Sequence, residues 1–126
     1  MGRTATGTLG RQAEQSAFAY LRRRGLQAVA RNFRSRGGEI DLIMLDKDCL
    51  AFIEVRCRAS KRFTQPSHTV DHRKQQKLIR TAALFIARNK KFAATTMRFD
   101  VVAVLGLDDP DIEWIRDAFR PNSSML

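Results

Sequence analysis

A chain of 126 residues has the length of one domain and not of two, and its 44% hydrophobic content is enough to bury a core, which argues against disorder. No apolar run approaches the roughly 18 residues that a membrane span needs. The 23 Lys and Arg against 13 Asp and Glu leave a formal net charge of +10, a balance that points to phosphate-bearing partners wherever it is concentrated.

The opening stretch MGRTATGTLG lacks an apolar signal core, which places the protein in the cytoplasm. From about Thr8 to Arg24, Leu9, Ala13, Ala17 and Leu21 recur every four positions with Phe18 widening the stripe, which predicts a helix stopped by Gly25. Leu26 to Phe33 reads as a strand, with Gly37 and Gly38 as its turn. Glu39 to Leu45 and Leu50 to Arg56 follow as the two strands of a hairpin closed around Asp46-Lys47-Asp48-Cys49. Cys49 and Cys57 would lie on one strand, roughly 26 Å apart at about 3.3 Å per residue, far beyond the roughly 7 Å Cα limit of a disulfide. With His68 and His72 as the only histidines and no CxxC pair, zinc is a poor reading as well.

Residues 59–69 are polar, carry Pro66 and read as a surface loop. Asp71 to about Asn89 reads as a second helix with Leu78, Ile79, Ala82, Phe85 and Ile86 on its core face, Met97 to Leu105 as an apolar strand, and Ile112 to Ile115 as a short last strand. The order is αβββαβ plus a short β. A strand, a crossover helix and a strand run parallel with a right-handed connection, whereas the three earlier strands form an antiparallel meander. The expected fold is therefore α/β, a mixed sheet flanked by helices, in a single domain over residues 1–126 with an ordered core of about 8–119.

The charge is concentrated. Residues 56–91 hold eleven Lys and Arg against Asp71 alone, and the rest of the chain balances at twelve of each sign. A solvated basic face is the plain alternative, but a localised excess of this size more often meets phosphates. Arg58, Lys61, Arg62, Arg73, Lys74, Lys77 and Arg80 are the candidate contacts for a nucleic-acid backbone.

The hairpin carries the chemistry. If its loop has two residues (Lys47-Asp48) or four (Asp46 to Cys49), opposed residues sum to 95 and Asp41 lies across from Glu54, with Cβ atoms roughly 5 Å apart. A three-residue loop would break that alignment. Arg56 shares the face of Glu54, since strand side chains repeat every second residue. Two carboxylates this close repel unless a cation sits between them, and oxygen-only donors suit Mg2+ or Mn2+. The competing reading makes both acids solvated strand residues paired with Arg56 and Arg58.

Gly10 with Glu14, Asn32-Phe33-Arg34, Gly38-Glu39-Ile40-Asp41-Leu42-Ile43, Phe52-Ile53-Glu54-Val55-Arg56, Lys74-Gln75, Arg98-Phe99-Asp100-Val101-Val102 and Trp114-Ile115 stand in an order that resembles the YraN family. These are small bacterial predicted endonucleases related to archaeal Holliday junction resolvases. The resemblance runs from Gly10 to about Phe119 and implies a restriction-endonuclease-like fold, whose signature is an Asp followed by Glu-x-Lys. By that analogy Asp41 and Glu54 are metal ligands with the Val55 carbonyl as a third, and Glu14 supplies a further carboxylate. Helical spacing sets Glu14 at the edge of the buried stripe, which fits.

The signature lysine is Arg56 here. Arginine stays charged at any working pH and cannot be a general base, although it can hold a phosphate or stabilise developing charge. Lys74, four residues before Leu78, borders the core-facing stripe and could take the lysine's place in space. Gln75 is a polar residue on the apolar line of Leu78, Ile79 and Ala82, which sets it over the site. Asp100 reads as a buried aspartate partnered by Arg98 on its own face, and Trp114 and Phe119 as core or dimer contacts.

These features predict a metal-dependent endonuclease acting on DNA, branched or structured DNA included. The alternative is a nucleic-acid-binding protein on the same fold without turnover. Junction cutting would need two sites and hence a homodimer, for which the sequence offers no decisive face.

Overall fold

In the computed structural model, residues 7–59, 70–106 and 108–121 are described. Helix α1 (Gly7–Arg23) leads into strands β1 (Gln27–Ser35), β2 (Gly38–Asp46) and β3 (Cys49–Arg58). Helix α2 (His72–Arg88) and a short 3-10 turn (Lys90–Phe92) then precede β4 (Thr96–Leu105) and β5 (Asp111–Phe119). The five strands form one sheet in sequential order. All neighbours are antiparallel except β3 and β4, which run parallel with α2 as the crossover. The mixed α/β sheet with its αβββαβ order is therefore as the sequence pattern predicts.

Each face of the sheet is covered by one helix, because each helix has one apolar stripe. Ala13, Ala17 and Leu21 of α1 are buried against Leu42, Met44, Ala51, Ile53, Val102 and Val104. On the other face Leu78, Ile79, Ala82 and Phe85 of α2 pack on Ile40, Ile43, Leu50, Phe52, Phe99 and Val101. Phe52 holds this second layer together, stacking on Phe99 at 5.5 Å and meeting Phe85 edge-on at 6.2 Å. Truncating such a buried ring to alanine costs about 3–5 kcal/mol.

Three local features differ from the sequence pattern. Leu9 is 48% exposed, because the first turn of α1 projects past the covered part of the sheet. The β1–β2 turn is Arg36-Gly37, with Ser35 paired to Gly38 as the first residue of β2. The last strand runs to Phe119 rather than Ile115: Phe99 pairs with Phe119 while Val101 pairs with Ile115, so β5 carries two extra residues in a bulge. Asp117 sits in that bulge with φ of 54°, and its N–H donates to the Asp100 carboxylate at 2.9 Å.

Gly38 marks where α2 comes closest to the sheet. A Cβ placed on Gly38 would lie 3.2 Å from Thr81 Oγ1 and 3.6 Å from Lys77 Cβ. Thr81 is fully buried there, its hydroxyl donating to the Lys77 carbonyl at 2.8 Å.

Candidate active site

The hairpin register follows from its turn. Lys47 and Asp48 form a two-residue closure with Lys47 at φ of 57°, and Asp46 pairs with Cys49 through to Leu42 with Ile53. Beyond Leu42 and Ile53 the strand pairing stops and a side chain takes its place: Asp41 Oδ2 accepts the Val55 N–H at 2.8 Å. β2 is also irregular at this point. Ile40 and Ile43 both pack in the core beneath α2, although an odd separation would put them on opposite faces of a regular strand. In β1, Asn32 lies between the Arg31–Leu42 and Phe33–Ile40 pairs with φ of 53°. Asp41 and Glu54, both buried, lie where the pairing of β2 with β3 ends.

They open into a cleft of about 780 Å3 whose wall includes Glu14, Asp41, Glu54, Val55, Arg56, Arg58, Lys74 and Lys77. Gly10, Ala13 and Glu14 come from the start of α1, and Asp71, Lys74 and Lys77 from the start of α2. Residues of both helices therefore line one opening, beside the point where α2 begins. Asp71 caps α2 by accepting the Lys74 N–H at 2.9 Å.

Lys74 is the residue that changes the chemistry most. Its ammonium lies 2.5 Å from Glu54 Oε2, so α2 delivers a lysine to the carboxylate that Arg56 accompanies along β3. Arg56 is half-buried in the same wall; burial lowers its pKa while the charge of Glu54 opposes that, and the guanidinium remains a fixed cation. Asp41 is pushed up to about 8, first by burial and then by the charge of Glu54, with the Val55 N–H acting against both and Glu14 and Glu39 adding to them.

The donor set suits a hard divalent cation. Two carboxylates on adjacent strands beside the Val55 main chain offer oxygen donors only, and an Asp41 held protonated by burial, and then by the charge of Glu54, would be relieved by a cation between them. Among the described residues no three His, Cys, Asp or Glu side chains close into a cage, so such an ion would keep several waters, as Mg2+ does.

Other sequence-derived candidates fall elsewhere. Gln75 is half-buried at the start of α2, but its amide donates to the Val70 carbonyl at 2.7 Å, a bond that fastens the helix entry, and it is not part of the cleft wall. Arg73 and Arg80 are exposed on α2 outside the cleft. Lys61, Arg62 and His68 lie outside the described residues, while His72 is exposed beside Gln76 at 3.2 Å. Both cysteines are free. Asp100 is buried and bound by Arg98 Nε at 3.0 Å, as expected, and also by Trp114 Nε1 at 3.0 Å.

The raised Asp41 pKa has a consequence for stability. A carboxyl protonated in the folded state but ionised in the unfolded chain costs the fold stability as pH climbs from about 4 to about 8, after which the loss levels off. Each unit of displacement is worth about 1.4 kcal/mol. In chelator at pH 8, Asp41→Asn should therefore melt several degrees above wild type, with the difference fading towards pH 4. A melting temperature that responds equally to pH in both proteins would contradict the buried, repelled state of Asp41.

Comparison with known proteins returns one family model, described as the uncharacterised protein family UPF0102, over residues 13–104. Relatives named UPF0102 protein include one from Halorhodospira halophila, 47% identical over 114 residues (90% of this chain, 88% of the relative). Another from Pseudomonas aeruginosa is 43% identical over 113 residues (87% and 90%). A third from Xanthomonas campestris is 47% identical over 111 residues (88% and 90%).

Proposed function

Since the chain belongs to UPF0102, which is the YraN family, we propose that it is a cytoplasmic, metal-dependent endonuclease that hydrolyses phosphodiester bonds of DNA, branched or structured forms included. The observation that carries this reading is the buried Asp41–Glu54 pair at a cleft lined by both helices, with Arg56 and Lys74 beside it. A bound Mg2+ or Mn2+ would supply Lewis acidity and a more acidic water.

The chain's own residues do the rest. Asp41, Glu54 and the Val55 carbonyl would hold the ion, and Glu14 would add a carboxylate from α1. Arg56 stays charged and stabilises the negative charge that builds on the phosphate as water attacks in line. Lys74 steadies Glu54 and directs the attacking water. Lys77 and Arg58 at the cleft wall, with Arg73 and Arg80 further along α2, bind the flanking backbone electrostatically. Lys61 and Arg62 extend the same basic stretch in sequence.

The test is calorimetry with Mg2+ and Mn2+ alongside cleavage of a panel of duplex, single-stranded, flapped and branched DNA, with RNA as comparison. One metal-binding event and metal-dependent cutting are expected. DNA binding with neither heat from the metal nor cutting would favour the rival reading, a binding protein without turnover, for which arginine in place of the signature lysine is the supporting observation.

A further inference from the structure

Away from the cleft, on the face of the sheet covered by α1, cations and rings alternate along the seam between α1 and β5. The Arg24 guanidinium lies 3.6 Å from the centroid of the Tyr20 ring. Tyr20 meets Trp114 edge-on at 6.5 Å, and Arg116 lies 4.2 Å from the Trp114 ring. Both rings are half-exposed, and both arginines are exposed, as are Arg22 and Arg23 at the end of α1.

The tryptophan is held in place from beneath. Its Nε1 donates to Asp100 at 3.0 Å, and that buried carboxylate also accepts from Arg98 and from the bulge N–H of Asp117. A buried charge with three donors is a rigid mount for a ring that is itself only half-covered. Asp46 takes up Arg98 and, at 3.4 Å, Arg116, while Arg24 lies on the Tyr20 ring.

We propose that this seam is a second nucleic-acid site, one that takes single-stranded DNA or RNA. A guanidinium lying on an aromatic ring keeps its outer face for a base and its N–H edge for a phosphate. Stacking of this kind requires unpaired bases, whose faces a duplex hides, and tolerates any sequence. It would hold a displaced strand while the cleft holds another segment. The site does not depend on the cleft being catalytic.

Trp114 is the only tryptophan in the chain, so intrinsic emission reports this seam directly. In chelator, a twelve-residue oligothymidylate should quench that emission. Replacing Arg24 and Arg116 together by alanine should weaken the affinity read from the quench about tenfold; both side chains are exposed, so the fold is retained. Asp41→Asn should leave the quench intact, which separates failure here from failure of the nuclease reading. Four results would overturn the proposal: oligothymidylate binding seen by anisotropy without quenching, quenching unchanged in the double variant, equal quenching by a duplex of the same length, or quenching by polyglutamate but not by the oligonucleotide.

Discussion

Asp41→Asn and Glu54→Gln should each lower metal-dependent cleavage by a thousandfold or more, about 4 kcal/mol of barrier at 1.4 kcal/mol per factor of ten. Each change keeps the shape of the side chain and removes one of the two buried charges that would hold the ion. Calorimetric metal binding should vanish with the activity. Without metal, affinity for DNA should stay level in Asp41→Asn, whose carboxyl is already protonated below about pH 8, and rise in Glu54→Gln, which removes a negative charge from the cleft. The two variants differ in one respect. Glu54→Gln also strips Lys74 of its ionic partner, so it leaves an extra cation at the opening, and its gain in affinity should be the larger. Cutting at the wild-type rate by either protein, with contaminating nuclease excluded, would refute the metal assignment.

In the proposed reaction Arg56 and Lys74 would divide a task that the wider signature gives to one lysine. Arg56→Ala should slow cleavage by a hundred- to a thousandfold, about 2.7–4 kcal/mol, by analogy with loss of an oxyanion donor. Lys74→Ala should fall in the same range if the lysine from α2 serves the attacking water. Arg56→Lys should retain activity, and in the Lys74→Ala background it should restore part of what was lost, since it returns a lysine to the strand position. Single-turnover rates at saturating metal read all four proteins. Full activity in Arg56→Ala would remove that residue from the reaction, and an unaltered rate in Lys74→Ala would reduce its contact with Glu54 to ordinary ion pairing.

Much of this was legible in the sequence because periodicity and turn length are local. The two-residue closure at Lys47-Asp48 alone fixes the hairpin sum, which holds as far as Leu42 with Ile53, one step short of Asp41 and Glu54. The pairing of Arg98 with Asp100 follows from spacing on one strand face. What escaped depends on contacts between distant segments. The reach of Lys74 to Glu54 is set by how closely α2 docks on the sheet, which helical spacing does not specify. Gln75 looked like a site residue because it is polar on an apolar line, but its amide is used by the Val70 carbonyl five residues back. The bulge in β5 breaks the alternation that marks a strand, which hid its last four residues, and with them the mount of Trp114. Leu9 kept the period of its helix while lying beyond the sheet that would bury it.

Gly38 acts as a spacer of zero thickness. With only a hydrogen atom between β2 and the second turn of α2, the helix rests on Thr81 and Lys77, and the same helix carries Lys74 one turn earlier to Glu54. A methyl group at Gly38 would press on Thr81 Oγ1 at 3.2 Å from a backbone conformation, φ of 156°, that side chains rarely adopt. The helix that brings Lys74 to Glu54 is thus seated on the sheet at a residue that has no side chain.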